Sequence, residues 1–125
     1  MTGWTNEELA GIGSAQELRI AARRPDGTLR NPTTIWVVRD GDDLYVRSVN
    51  GPTATWYRGT QARHEGRVQA GSAERDVAFQ DADHDVEDRL DAAYRDKYRR
   101  YAESILDHIT SPDARSTTLR LVPRP

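Results

Sequence analysis

Two periods organise this chain of 125 residues, and the change falls near Asp85. Upstream, apolar and polar positions alternate in short runs. From Glu17 to Arg24, Leu18, Ile20 and Ala22 share one side, and Glu17, Arg19, Ala21 and Arg23 share the other. That period of two is the signature of a strand with one buried face. Leu29 to Arg39, carrying Thr33, Thr34, Ile35, Trp36, Val37 and Val38, predicts a second strand. Pro32 cannot donate to a ladder, so it marks an edge, a bulge or the true start of that strand. Leu44, Val46 and Ser48 alternate with Tyr45, Arg47 and Val49 in a third, and Arg67 to Ala70 and Arg75 to Gln80 predict a last hairpin. Between these runs lie Pro25-Asp26-Gly27-Thr28, Asp40-Gly41-Asp42-Asp43, Asn50-Gly51-Pro52 and Gly71-Ser72, all with turn chemistry. Such short turns join antiparallel strands, since parallel ones need long crossovers. Five short strands in a flat sheet would leave exposed edges; closure into a β-barrel removes them.

From Asp85 the spacing becomes helical. Val86, Leu90, Tyr94, Tyr98, Tyr101, Ile105 and Ile109 recur every three or four residues, one stripe of an amphipathic helix. Asp85–Arg89, Asp91–Arg95 and Asp96–Arg100 are acid-first pairs four apart, which favour helix by a few tenths of a kcal/mol each. A single helix over this span is long for a globular domain, so a break near Tyr101 is expected. Ser111-Pro112 ends the segment, and Thr117 to Val122 alternates again as a sixth strand returning to the barrel. Thr5 and Glu8 form a capping box that starts a short helix near residues 6–14, with Gly11 and Gly13 weakening its end. Thr53 or Thr55 is placed to cap another short helix running to Thr60 or Ala62. The pattern describes one α+β domain over residues 1–125. Its strands lie at about 16–80 and 117–122, and its helical segment at about 85–109.

Composition narrows the setting. The chain has no cysteine, which removes disulfides, thiolate metal sites and cysteine nucleophiles and fits a reducing, cytoplasmic compartment. Met1 to Ala15 lacks the basic-then-apolar order of a signal peptide, and no apolar run is long enough to cross a bilayer. A net charge of −2 argues against electrostatic nucleic-acid binding. The partners expected are therefore small molecules rather than nucleic acid or membrane. The cations are 17 arginines and one lysine, Lys97, a bias that a GC-rich genome produces. Residues 16–80 hold ten arginines against eight acids, and residues 81–110 hold nine acids against five bases. The barrel is thus the better host for an anionic ligand.

Familiar catalytic signatures are absent: there is no G-x-G-x-x-G, P-loop, H-E-x-x-H or G-x-S-x-G. Asp81, Asp83, His84 and Asp85 place oxygen ligands at alternate positions, as a hard cation requires. They also stand where the helix begins, and acids there complement the helix dipole, so no metal is expected. Tyr94, Tyr98 and Tyr101 have the spacing of helix packing. The stronger constellation is Arg30, Thr33 and Thr34 on the second strand, Arg47 and Ser48 on the third, and Trp56, Tyr57 and Arg58 on the short helix. Arginines and hydroxyls on adjacent strands can converge on a phosphate, and the first N–H groups of a helix can join them. Trp36, Trp56 and Tyr57 offer flat surfaces to a planar ring. Alternatively, the arginines are solvated and the aromatics fill the core.

These same residues carry a resemblance. Arg24, Gly27, Arg30-Asn31-Pro32, Asp40-Gly41, Leu44-Tyr45-Val46, Ser48, Gly51, Trp56-Tyr57, Gly66 and Val68, in this order and spacing, resemble the deazaflavin-dependent nitroreductases. Over roughly residues 16–123 the chain is similar to the bacterial family called domain of unknown function 2255. Both are of the split β-barrel class that binds FMN and related cofactors. The resemblance implies a mainly antiparallel split barrel, a homodimer, and FMN or a deazaflavin between the subunits. It implies that Arg30 and Pro32 lie near the cofactor tail and Ser48 in the loop after the third strand, with Trp56 and Tyr57 as an aromatic pair. Nitroreductases carry a lysine directly after that serine; this chain carries Val49, so Arg47 is expected to supply the charge. On this reading Arg30, Thr34 and Arg47 hold the phosphate, Thr33 and Ser48 add hydroxyls, and Trp56 and Tyr57 flank the ring. The protein would bind a cofactor and serve as a reductase, with no residue acting as acid, base or nucleophile. The rival readings are a cofactor-free small-molecule binding module and a protein-interaction barrel.

Overall fold

The computed structural model describes residues 3–124. The elements run α1 (Asn6–Ser14), β1 (Leu18–Ala22), β2 (Thr33–Ile35), β3 (Val38–Asp40), β4 (Asp43–Val46), α2 (Thr55–Ala62), β5 (Glu65–Ala70), β6 (Ala73–Asp81), α3 (Glu87–Lys97), α4 (Glu103–Ile109), α5 (Pro112–Arg115) and β7 (Leu119–Pro123). Single 3₁₀ turns precede α2 and α3. The strands form one antiparallel sheet in the order β2-β1-β5-β6-β7-β4-β3.

The second strand expected over Leu29 to Arg39 is two strands. β2 pairs with β1 and β3 pairs with β4, so the pieces occupy opposite edges of the sheet. Only Trp36 and Val37 separate them. Two linking residues span at most about 11 Å between Ile35 and Val38. The outer strands of a flat seven-stranded sheet would be about 29 Å apart. The sheet must therefore curl until its edges nearly meet, and it makes a barrel split along one seam. Leu29 joins the sheet only through an isolated bridge to Arg23.

Two apolar layers follow from the alternation. Leu18, Ile20, Leu44, Val46, Val68, Val77, Phe79, Leu119 and Leu121 fill the barrel, and Leu9 and Ile12 of α1 plug one end. Val38 and Tyr45 face outward from β3 and β4, onto Val86, Leu90, Tyr94, Tyr98, Leu106 and Ile109. At β5, Gly66 lies so close to the neighbouring strand that an added Cβ would sit 2.2 Å from the Ala21 carbonyl and 2.9 Å from the Phe79 ring.

The capping box forms as expected: Thr5 Oγ1 accepts from the Glu8 N–H, and Glu8 Oε1 accepts from the Thr5 N–H. Three other expectations are corrected. α2 starts after Ala54 without a side-chain cap, so neither Thr53 nor Thr55 serves. The break expected near Tyr101 falls between Lys97 and Glu103, but the stripe does not run on through it: Leu106 and Ile109 are buried while Tyr101 and Ile105 are exposed. The acid-first pairs do not form ion pairs. Arg89 reaches Asp40, Arg95 reaches Glu103 and Asp107, and Asp91 meets Arg47 and Arg115.

A cavity at the barrel seam

The seam leaves backbone groups without strand partners, and α3 supplies them. Tyr98 Oη accepts from the Val37 N–H at 3.2 Å and donates to the Gln16 carbonyl at 2.9 Å. Lys97 Nζ donates to the Val37 carbonyl at 2.6 Å. Trp36 then stacks on Tyr98, rings 3.9 Å apart and 3° from parallel, and the Tyr101 ring is tilted against the same indole at 4.8 Å. The split thus fixes an indole at the edge of the barrel.

Beside that indole is a cavity of about 310 Å³. Thr33, Thr34, Ile35 and Trp36 form one wall, Arg47, Ser48, Val49 and Asn50 a second, and Trp56 with Ile105 and Ile109 the rest. The lining is mainly apolar with a few polar atoms, the usual make-up of a small-molecule site. One polar atom stands out. Ser48 is wholly buried, its N–H is taken by Thr117 Oγ1, and its own Oγ has no hydrogen-bond partner. A buried hydroxyl left unpaired is costly, and a ligand acceptor or donor in the cavity would satisfy it.

Of the eight residues singled out in the sequence, the cavity gathers Thr33, Thr34, Arg47, Ser48 and Trp56. Arg30 and Pro32 lie in an adjoining cleft that shares Thr33 and Trp56 with it. Arg30 crosses α2 where Gly59 leaves room: its Nε and Cδ are 3.0 Å from the position a Cβ would take. Its Nε has no partner, and no carboxylate pairs with it among the described residues. Tyr57 turns away, packing on the barrel core edge-on to Trp56.

Arg47 lines the cavity with its body, but its guanidinium is held within the protein. Nε donates to Thr118 Oγ1 at 3.0 Å, and Nη1 donates to Asp91 Oδ1 at 2.5 Å and to the Ile109 carbonyl at 3.2 Å. Nη2 donates to the Glu87 carbonyl at 3.2 Å and lies 3.6 Å from its carboxylate. The Tyr94 ring packs over the guanidinium, and the side chain is 0 % exposed. Arg47 therefore joins β4 to α3, α4 and the segment before β7. Its partners lie tens of residues away, which is why spacing along the strand placed its charge in the site. Ile105 and Ile109, which complete the cavity, were legible only as helix stripe. Asp81, Asp83, His84 and Asp85 do not gather, since no group of three metal-ligating side chains comes together among the described residues.

The curled seven-stranded sheet, with α1 at one end of the barrel and α3 and α4 on its outer face, is the split-barrel α+β fold, and its cavity lies at the split. Residues 8–121 match the family described as uncharacterised proteins conserved in bacteria, domain of unknown function 2255, and the chain belongs to that family. No curated protein matches it in sequence. Among solved structures, it is similar to a Listeria innocua protein provisionally assigned as a pyridoxamine 5'-phosphate oxidase. That match has TM-score 0.66 and 15% identity, covering 96% of this chain and 93% of the other. It is also similar to the heme storage protein HutZ of Vibrio cholerae, with TM-score 0.66 and 14% identity over 96% and 90% of the two chains. An F420 reductase matches at TM-score 0.58 and 18% identity over 94% and 91%. At these identities the likeness is one of fold.

Proposed function

We propose that the seam cavity binds the ring of a flavin-type cofactor, FMN or a deazaflavin, and that the protein is a reductase. The observation that carries this is the buried, unpaired hydroxyl of Ser48, a residue that lines a cavity walled by Trp36 and Trp56. The residues fit such a group: flat apolar walls suit a planar ring, and Ser48, Thr33, Thr34 and Asn50 supply hydrogen-bonding groups. Arg30, unpaired in the adjoining cleft through Thr33 and Trp56, is the cation placed for a phosphate tail. Pro32 shapes that cleft. Arg47 keeps the role of a wall, and Tyr57 that of a support behind Trp56.

A bound cofactor of this class supplies hydride chemistry. The chain's own residues do the rest. The two indoles orient the ring and exclude water, and Ser48 anchors one polar edge. A cavity near the small end of the range for cofactor sites leaves part of a cofactor uncovered by one chain. Val49 and Ile105, exposed on the lining, make an apolar rim. Both points support a homodimer whose second subunit covers the mouth, and sizing in solution tests it: a monomer would remove the shared site. The protein is read as cytoplasmic from its lack of cysteine; among the described residues no helix is long and apolar enough to cross a membrane.

A second reading has its own support. With Arg47 engaged internally and Val49 apolar, no free cation lines the cavity itself. A neutral planar molecule without a phosphate would suit it equally, and the barrel would then be a binding module. The visible spectrum of the purified protein, followed by titration with FMN and with a deazaflavin, separates the two. Ser48→Ala should weaken cofactor binding about tenfold, near 1.4 kcal/mol, while leaving the ligand-free protein at least as stable as the wild type. Arg30→Ala should weaken only phosphate-bearing ligands. A colourless protein that takes up neither cofactor rules out the reductase.

A further inference from the structure

A second concave site lies on the other side of the seam, between the end of α1 and the end of α3. It is a cleft of about 180 Å³ lined by Gly13, Ser14, Gln16, Lys97, Arg99 and Arg100. Three cations and no carboxylate line it. Arg100 has no ion-pair partner among the described residues, and Arg99 has only the 87% exposed Asp96 carboxylate at 3.6 Å, beside a 2.9 Å bond from Nη1 to the Asp96 carbonyl. An exposed pair of that kind holds its arginine weakly. The carbonyl end of α1 adds about half a negative charge, which offsets only part of this excess.

We propose that this cleft binds a small oxyanion of the phosphate class, with Lys97 as its central cation. Lys97 is half-buried and fixed by one hydrogen bond to the Val37 carbonyl. The Tyr98 ring packs 5.1 Å from Nζ. An ammonium has three N–H groups, so this fixed position leaves two for a ligand. Burial lowers the Lys97 pKa to about 8, which shows how little stabilisation the charge finds in the protein alone. An anion would restore it. Lys97 is also the one lysine in a chain of 17 arginines. The cleft is too small for a nucleotide and suits the oxyanion by itself. It borders the wall of the first cavity, because Val37 follows Trp36.

The single lysine makes the test direct. Acetic anhydride labelling of the intact protein, read by mass on the Lys97 peptide, reports that amine apart from the chain terminus. Inorganic phosphate should slow labelling about fivefold when about four-fifths of the sites are filled. Sodium chloride at equal ionic strength should not. Arg100→Ala, at an exposed position outside the core, should lose much of the protection, as should Arg99→Ala. Equal slowing by chloride, no slowing by phosphate, or full protection in both arginine variants would each overturn the site.

Discussion

Arg47 and Gly66 show how far one side chain is set by its neighbours. Arg47 is a wholly buried cation whose charge is met by Asp91, Glu87 and two backbone carbonyls. Removing one partner of such a pair leaves an uncompensated buried charge and costs about 3–5 kcal/mol. Arg47→Ala should fall in that range in a urea titration, while Arg30→Ala, unpaired, should cost less than about 1 kcal/mol. Comparable losses in both would show that Arg47 is not anchored as described. Gly66→Ala should destabilise by about 2 kcal/mol or more, because the new methyl meets a strand carbonyl rather than a flexible side chain. A thermal midpoint equal to the wild type would contradict that packing. Ser48 is the opposite case, since its hydroxyl makes no bond within the protein. It is a candidate for function because structure does not account for it.

Among the elements, the seam is the decisive one. β2 ends before Trp36 and β3 begins after Val37, and Tyr98 and Lys97 close the gap from the end of α3. Tyr98→Phe keeps the stack on Trp36 but leaves the Val37 N–H and the Gln16 carbonyl without this partner. A loss of about 1–3 kcal/mol is expected, with faster hydrogen exchange at the Val37 amide. Unchanged exchange there would mean that the seam is held by something other than Tyr98. The long helical stripe also belongs to this scale. Its period was legible as far as Tyr98, and the break beyond it moved Ile105 from core to cavity rim. That break was expected from length. Its consequence for the stripe was not, because a turn between helices resets the phase that periodicity assumes.

For the molecule as a whole, the pair at the seam sets a dependence on pH. Burial brings Lys97 from 10.5 down to about 8 and pushes Tyr98 from 10.0 up to about 12. Between pH 8 and 10 the unfolded chain holds a proton at Lys97 that the native protein has released, so this contribution to stability rises with pH. Above pH 10 the unfolded Tyr98 releases a proton that the native one keeps, so its contribution falls as pH rises toward 12. In phosphate-free buffer, urea midpoints should show the rise in wild type and its loss in Lys97→Met. Parallel curves for the two would count against the burial of Lys97.

What the sequence determined by itself is local. Alternation placed the strand runs, turn residues placed the hairpins, Thr5 and Glu8 placed the first cap, and the period from Val86 placed the helical face. Each is decided by residues a few positions apart. Tertiary structure decided what depends on distant partners. Leu29 to Arg39 reads as one strand, yet its two ends find better partners on opposite edges of the sheet, and so it is cut at Trp36–Val37. Acid-first spacing favours Asp91–Arg95 by only tenths of a kcal/mol, too little to compete once folding brings Arg47 and Arg115 beside Asp91. The same closure draws Arg47 into the protein and leaves Ser48 beside the cavity with its hydroxyl unpaired. Residue types named the neighbourhood of the site; the curl of the sheet chose which atoms in it remain available to a ligand.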